Sequence, residues 1–272
     1  MSLALTGAAP SAPFPALRPL LARFGLPLLG VGAAFAIWAA LGALLARNPA
    51  FTAFAGLAPA PALAALWQML VSGDALNAAL PSLERLFGGL LAAVLLGAPL
   101  GFLMGLSLAF ERAAAAPFQF LRMVSPLAWM PVAVLAFPGW NSAIVFLIAA
   151  AAIWPVVFAT AAGVKRLDPA WPLVARSFGA GRLALLHRVF LPAVAQDLLT
   201  GIRLALGTAW IVIVPAEYLG VTSGLGYAIN DARDTLSYDR LAALVLLIGA
   251  LGYALDAALQ AAIARLRWTN AG

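Results

Sequence analysis

Residues 168–192 read DPAWPLVARSFGAGRLALLHRVFLP, and the rest of the chain is arranged around this stretch. The stretch is too polar to cross a bilayer, because Arg176, Arg182 and Arg188 would each cost roughly 2.5–3.5 kcal/mol at mid-membrane. Its apolar residues nevertheless recur at helical spacing. The pattern therefore predicts amphipathic helix at a membrane surface, outside the hydrocarbon core.

Local signals divide this stretch into parts. Asp168 is a favourable N-cap, and Pro169 suits the first position of a helix. Gly179 and Gly181 interrupt the helical pattern, and Pro192 introduces a new apolar run. The sequence predicts a helix, a glycine turn, a second short helix and then a membrane span.

Composition indicates an integral membrane protein. Of the 272 residues, 64% are hydrophobic and only 10% are charged, well below the share of charged residues in globular proteins. The apolar runs are rich in Ala, Leu and Gly, which favours helices over a β-barrel. The absence of cysteine excludes disulfides and thiolate chemistry, and the single histidine, His187, leaves no histidine cluster for a metal.

About six apolar runs have the length of a membrane span. They cover residues 24–46, 83–110, 113–137, 141–163, 193–219 and 241–266, and Pro126 and Pro131 break the third. Residues 47–74 are expected to form a linker with one short interfacial helix carrying Trp67, and residues 220–240 a polar loop with a short helix. Residues 1–16 are expected to be a disordered tail, and residues 17–272 the transmembrane domain.

Glycines in the second span predict close helix packing. Gly88, Gly89, Gly97, Gly101 and Gly105 lie at spacings that let a neighbouring helix approach, and the last two form a small-xxx-small pair.

The distribution of basic residues predicts that both termini and residues 168–190 face the cytoplasm. Six spans put the termini on one side. This topology leaves only Arg47, Arg85, Arg233 and Arg240 outside, whereas ten basic residues are cytoplasmic: Arg18, Arg23, Arg112, Lys165, Arg166, Arg176, Arg182, Arg188, Arg265 and Arg267. Arg122 and Arg203 are expected to snorkel near the cytoplasmic ends of their spans. The net charge of +6 therefore fits anionic lipid and indicates no nucleic-acid partner.

The spacing within residues 173–192 resembles the EAA loop of binding-protein-dependent ABC transporter permeases. That loop reads Glu-Ala-Ala, three residues, Gly, nine residues, Ile, one residue and Leu-Pro. The matching positions are Leu173, Val174, Ala175, Gly179, Val189, Leu191 and Pro192, so that Leu and Val replace the leading Glu and Ala while the spacing is kept. LPSLERLFGG at 80–89, PLAWMPVAVLAF at 126–137 and TGIRLALGTAWIVIVPAEYLGVTSGLGYAINDAR at 200–233 resemble the nitrate, sulfonate and taurine branch.

The resemblance implies an all-α, polytopic membrane protein with the fold of a type I ABC importer permease. It implies a bacterial inner-membrane subunit that is not an enzyme and holds no cofactor, with ATP and Mg²⁺ bound by partner ABC ATPase subunits. A second, identical permease copy and a periplasmic solute-binding protein are the other implied partners. The implied substrate is a small anion such as nitrate, bicarbonate, taurine or an alkanesulfonate. Residues 168–192 would be the coupling element that docks on the ATPase, with Arg176 and Arg182 on its rim.

Four residues are candidates for the translocation path or its gate. Glu217 lies within the fifth span, and intramembrane carboxylates usually face a protein interior or a water path. A cation-paired or gating role fits it better than contact with an anion, and a buried hydrogen bond that fixes helix packing is the competing interpretation. Trp129, Met130 and Trp154 lie beside the prolines that distort the third and fourth spans.

Two other classes of protein stay open at this point. An ion-coupled secondary transporter would use Glu217 and Asp256, with Asp197 as a weaker candidate, as relays. A membrane-embedded enzyme would need a nucleophile or metal constellation, which the sequence lacks. No GxxxxGK[ST] pattern occurs, so the chain is not itself a P-loop ATPase.

Overall fold

The computed structural model describes residues 25–269, and the secondary structure of this part is entirely helical. The expected tail at 1–16, Arg18 and Arg23 lie outside the described residues. The helices are α1 Leu26–Arg47, α2 Pro59–Ser72, α3 Asp74–Leu106, α4 Leu108–Met123, α5 Met130–Ala136, α6 Trp140–Arg166, α7 Ala170–Ser177, α8 Arg182–Leu185, α9 Leu191–Tyr218, α10 Leu225–Asp234 and α11 Tyr238–Thr269. Short 3₁₀ helices cover Pro49–Leu57 and Pro126–Trp129, and a π turn at Leu186–Phe190 joins α8 to α9.

The prediction of about six spans is confirmed. Five helices in the described part are long and apolar enough to cross a membrane, and a bent pair of helices makes six if it counts as one span. The predicted short helices of the linker and of the polar loop correspond to α2 and α10. The chain is therefore an all-helical, multi-pass membrane protein.

The core of the bundle lies between α3, α6 and α9. Large fully buried side chains here include Leu86, Ile144, Leu147, Ile148 and Ile213. Four of the five predicted glycines line the contact of α3 with α6: a Cβ atom at Gly89, Gly101 or Gly105 would lie 2.5 or 2.6 Å from an atom of α6, and one at Gly97 would lie 3.1 Å away. Gly88 is the exception, because its Cβ would make an ordinary contact at 3.6 Å.

The predicted third span is bent by 90° between α4 and the helical segment Pro126–Ala136. The bend lies at Ser125, whose backbone is extended (φ −58°, ψ 129°), because the residue before a proline avoids the helical conformation. Pro126 thus breaks the span as predicted. Pro131 does not: it lies in the first turn of α5, where its missing N–H has no partner to lose.

The second span begins earlier than predicted, which changes the position of Arg85. Helix α3 starts at Asp74, after Gly73 (φ +85°), and it continues through Pro81. Arg85, which was predicted on the outer side at the start of the span, therefore lies well inside the helix and is only 5% exposed. The same helix stops at Leu106, where Ser107 accepts a hydrogen bond from the N–H of Phe110 and begins α4.

The close approach of α3 and α6 predicts a sharp difference between two glycine-to-alanine variants. In Gly101→Ala the new Cβ would lie 2.6 Å from Thr160 Cβ and from the backbone oxygen of Val157. We expect the free energy of unfolding to fall by about 1–3 kcal/mol, because one of the helices must shift. Gly88→Ala is the matched control, and it should be neutral or slightly stabilising since alanine favours helix. Thermal unfolding in detergent, followed by tryptophan fluorescence, measures both; equal stabilities would contradict the packing described.

Candidate functional site

Residues 168–192 form an element that projects from one end of the bundle. Asp168 Oδ1 accepts a hydrogen bond from the N–H of Ala170 at 2.8 Å and so caps α7. Helix α7 ends in a left-handed turn at Gly179 (φ +81°), where the N–H of Ala180 bonds to the carbonyl of Ala175 at 3.0 Å. This closing geometry favours glycine, because a side chain rarely adopts a positive φ. The predicted helix, glycine turn and second helix are present.

The outer surface of this 168–192 element is apolar. Phe178 is 88% exposed, and Leu183, Leu173 and Val174 are more than half exposed. Arg176, Arg182, Arg188 and His187 are also exposed, whereas Leu185 and, beyond the element, Val194 are buried and anchor it to the bundle. Large apolar side chains beside cations are unusual on a surface that stays in water.

The remaining predicted residues of the element line two concave surfaces. A groove of about 420 Å³ between α7 and α8 is lined by Ala175, Gly179 and Val189, among others. A second cavity, of about 740 Å³, has Val189 and Pro192 in its lining together with Arg166 and Asp197. Leu191 is 43% exposed at the start of α9. The structure therefore brings Ala175, Gly179 and Val189 together, although they are far apart in the motif.

Ion pairs mark the end of the bundle from which the element projects. Lys165 pairs with Glu111, and Arg166 pairs with Asp197. Asp197 is thus part of a surface pair at the end of its span, which gives it no place in the interior of the membrane. We call this the coupling end of the molecule.

Glu217 lies at the opposite end, inside a buried network. Its side chain is fully buried and accepts hydrogen bonds from Arg85 Nη1 at 2.5 Å, Ser82 Oγ at 2.7 Å and the N–H of Gly226 at 3.0 Å. Gly224 (φ +109°) lies so close that a Cβ there would collide with the carboxylate. Both carboxylate oxygens are therefore occupied, and Glu217 joins α9 to α3 and α10.

Arg85 completes this network. Its guanidinium donates to the carbonyl and the hydroxyl of Ser223, at 2.9 and 2.7 Å, and to Asn141 Oδ1 at 3.0 Å. One arginine thus ties α3 to the start of α6 and to the loop after α9. We call Arg85, Glu217 and their partners the buried network. The cation-paired role of Glu217 and its role in helix packing are both present here, and neither gives it contact with a solute.

Sequence reasoning did not single out Arg85, Ser82, Ser223 or Asn141. A signal was available, because an arginine near the start of one apolar run and a carboxylate near the end of another both need a partner in the membrane. The partners are 132 residues apart in the chain, so only the alternation of span directions could have suggested that they meet.

The aromatic candidates lie near a cavity at mid-length of the bundle. Trp154 is in the lining of a cavity of about 610 Å³ and of an adjoining one of about 240 Å³, which Trp129 also lines. Met130 is 8% exposed and packs in the core, so the structure gives it a packing role rather than a lining role. Arg122 lines the larger cavity, with its guanidinium carbon 5.4 Å from the centroid of the Phe158 ring.

Asp256 is also paired with an arginine. Arg203 Nε donates to Asp256 Oδ1 at 2.7 Å and Nη2 donates to Oδ2 at 3.0 Å, while Gln260 donates to Oδ2 at 2.7 Å. The two charged side chains are 44% and 42% exposed, although both lie well inside predicted spans. This exposed pair cannot face lipid without a large cost.

Comparisons with known proteins agree with the fold and the loop spacing. A family model described as binding-protein-dependent transport system inner membrane component matches residues 89–268. The nitrate import permease protein NrtB of Leptolyngbya laminosa is 37% identical over 176 residues, a match that covers 65% of this chain and 63% of that protein. The bicarbonate transport system permease protein CmpB of Synechococcus elongatus is 36% identical over 177 residues, covering 64% and 63%.

A third relative is matched over more of its length. The taurine transport system permease protein TauC of Escherichia coli is 34% identical over 203 residues, which covers 75% of this chain and 70% of that protein. The chain matches less than two thirds of the length of the nitrate and bicarbonate permeases above.

The buried network predicts a large loss of stability for Glu217→Gln. The variant leaves Arg85 charged and buried without a carboxylate, so we expect the free energy of unfolding to fall by about 3 kcal/mol. Denaturant unfolding in detergent micelles measures the change. In the double variant Arg85→Leu/Glu217→Leu the loss should be smaller than the sum of the two single losses, since no buried charge is left.

Asp234→Asn is the control for removing a charge. Asp234 is 56% exposed and pairs with its neighbour Arg233, and exposed pairs contribute about 0–1 kcal/mol. If Glu217→Gln keeps wild-type stability and loses only transport, the carboxylate is a gate or a relay and not a structural link.

Proposed function

The chain belongs to the family of binding-protein-dependent transport system inner membrane components, in the branch of the nitrate, bicarbonate and taurine permeases, and we propose that it is the membrane-spanning permease subunit of an ATP-driven importer of a small anion. The observation that carries the proposal is the exposed apolar surface of residues 168–192 at the coupling end. The residues of this element keep the spacing of the EAA loop of the matched family. Nitrate, bicarbonate, taurine and alkanesulfonates are the candidate substrates, and the first three are named by the relatives.

We propose that the 168–192 element docks on a cytoplasmic ABC ATPase subunit, which binds ATP and Mg²⁺. Phe178, Leu183 and their apolar neighbours would fill a groove on the partner, while the arginines would contact its rim. Burying one exposed phenylalanine is worth about 1.5–3 kcal/mol. Because Gly179 has no side chain and an added Cβ would meet no atom of this chain within 4 Å, a partner can approach the turn closely.

A second copy of the chain is the partner proposed within the membrane. The pair Arg203–Asp256 is exposed at mid-span in the single chain, and it needs protein or water in place of lipid. The face of another permease subunit, or a water-filled path between two subunits, would supply that environment. A periplasmic solute-binding protein, which the family description implies, would deliver the substrate to the end that carries the buried network.

The ion-coupled alternative finds no support in the described carboxylates. Glu217 accepts hydrogen bonds through both oxygens from three groups of the buried network, and Asp256 is held by Arg203 and Gln260. A relay requires a carboxylate that can exchange its partner for a proton or an ion. We therefore propose that the energy comes from ATP on another subunit, and that this chain performs no bond chemistry.

Co-purification tests the docking proposal. From native membranes in mild detergent, we expect the tagged wild-type chain to bring down a P-loop ATPase, and Phe178→Ser to reduce the recovered ATPase by at least about tenfold. Leu236→Ser is the matched control, because Leu236 is 67% exposed in the loop between α10 and α11. No ATPase with the wild type, or equal amounts with Phe178→Ser, contradicts the proposal.

Gly179→Asp tests the turn in the same assay. We expect loss of the ATPase, because bulk and charge are added where the partner approaches. Gly139→Asp is its control: an added Cβ there also meets no atom within 4 Å, and Gly139 directly precedes α6 near the buried network. Unfolding curves of the four variants confirm that the losses are not failures of folding.

The orientation of the chain in the membrane can be tested with single introduced cysteines, because the chain has no cysteine of its own. We expect Ser177→Cys to react with a membrane-impermeant maleimide only after the cells are permeabilised, and Asp234→Cys to react in intact spheroplasts. Both positions are exposed in the single chain, so in cells that lack the ATPase subunits access to the thiol depends only on the side of the membrane. Labelling of Ser177→Cys in intact spheroplasts would reverse the proposed topology.

A further inference from the structure

The cavity around Arg122 lies at mid-length of the two central spans. It is lined by Arg122, Val124 and Pro126 at the bend of the third span, by residues from Ala150 to Ala159 of α6, and by Leu204 and Thr208 of α9. At a rise of about 1.5 Å per residue, Phe158 lies about 12 Å from the end of α6 at Arg166. The cavity therefore lies about two helical turns inside the end of α6, whereas Arg122 was expected near the cytoplasmic end of its span.

Three arginines lie in the interior of the described spans, and two of them have a carboxylate. Arg85 is paired with Glu217, and Arg203 is paired with Asp256. Arg122 has no acid within ion-pair distance among residues 25–269, and its one described polar interaction is with the ring of Phe158. Arg122 is exposed in the single chain, and an arginine inside a span that has no carboxylate is expected to face water or a solute in place of lipid.

The wall around Arg122 suits a small anion. Among the described residues that line the cavity, none is a carboxylate and Arg122 alone is charged. Trp154 packs between Phe118 and Phe158, with ring centroids 5.5 and 6.5 Å apart, and its indole N–H meets no acceptor in the part of the chain that the structure describes. Two residues of the lining, Arg122 and Trp154, thus carry N–H donors that have no acceptor among the described residues, in a wall that is otherwise largely apolar.

We propose that the Arg122 cavity is a transient binding site for a small oxyanion on the translocation path. The guanidinium matches nitrate, bicarbonate or a sulfonate group, because two of its N–H groups can bond to two oxygens of one anion. The volume of about 610 Å³ leaves room for the anion and several waters, each of about 30 Å³. A partly hydrated, loosely held anion can also leave, as transport requires.

That the cavity lies on a translocation path rests on the proposed function, but binding of an anion in the cavity can be tested without transport. The absence of native cysteine allows a thiol to be placed in the cavity with Ala150→Cys, since Ala150 is in its lining. The probes are two methanethiosulfonates of similar size, one carrying a sulfonate and the other a trimethylammonium group. Their reaction rates are measured on the purified full-length chain in vesicles of neutral phosphatidylcholine.

We expect the anionic reagent to react faster than the cationic one in Ala150→Cys. Adding Arg122→Gln should lower the ratio of the two rates by at least about tenfold, because a focused positive potential is lost. Arg112→Gln, an exposed arginine near the start of the same helix, is the control and should leave the ratio unchanged. A ratio that Arg122→Gln does not alter overturns the site.

Competition identifies what occupies the site. At constant ionic strength, nitrate, bicarbonate or taurine should slow the anionic reagent, whereas gluconate should not. If added anionic lipid slows it instead and the small anions do not, Arg122 serves a lipid phosphate and the proposal is wrong.

Transport separates this site from the proposed function. With the ATPase subunits bound, Arg122→Gln should lower anion uptake by at least tenfold while the ATPase still co-purifies, and Arg122→Lys should restore only part of the uptake. An anion-selective cavity in a chain that recruits no ATPase would keep the site and refute the importer. If the ATPase is recruited and Arg122→Gln leaves the rate ratio unaltered, the importer is supported and the Arg122 site is refuted.

Discussion

The ion pair between Arg85 and Glu217 is the interaction on which one whole end of the bundle depends. Both side chains are almost fully removed from solvent, and burying either charge alone would cost several kcal/mol. The cost is offset because every oxygen of Glu217 and every nitrogen of the Arg85 guanidinium has a partner in the network. Through those partners the pair fixes α3, α6, α9 and the loop before α10 relative to one another. This end is therefore expected to move as one body.

The coupling end is built differently. Its ion pairs, Lys165–Glu111 and Arg166–Asp197, are partly exposed, and exposed pairs contribute little to stability. The 168–192 element is attached mainly through the π turn into α9 and through Leu185. The two ends of the bundle therefore differ in how firmly they are held: one has a fully buried network, and the other has partly exposed ion pairs.

The sequence predicted the spans and the helix, glycine turn and second helix of residues 168–192 because both signals are local. Mean hydropathy over some 20 residues and the spacing around Gly179 need no knowledge of which helices touch. The boundaries of α3 could not be placed, since Pro81 is tolerated within the helix, and of the two prolines expected to break the third span only Pro126 does so. The buried network was missed for a different reason: its members come from four segments, and only the packed bundle brings them together.

The geometry of α7 depends on only part of the family pattern. Leu173 replaces the leading glutamate of that pattern, yet α7 and its turn form as the spacing predicts. Asp168 supplies the cap at one end of α7, and Gly179 supplies the positive φ at the other. The side chain of Leu173 is 63% exposed, so the substitution changes the surface of α7 and leaves its fold intact.

The three arginines inside the spans differ in the group that balances their charge. Arg85 has a permanent carboxylate in the core and Arg203 has one on an outer face, so neither can hold a second anion without releasing the first. Arg122 differs because it has no acid within ion-pair distance among residues 25–269 and its guanidinium packs over the ring of Phe158. The ring face stabilises the guanidinium by only about 0.5–2 kcal/mol, less than a buried carboxylate would. Of the three arginines, Arg122 is therefore the one that can bind an anion without first releasing a carboxylate, which is the basis of the site that we propose.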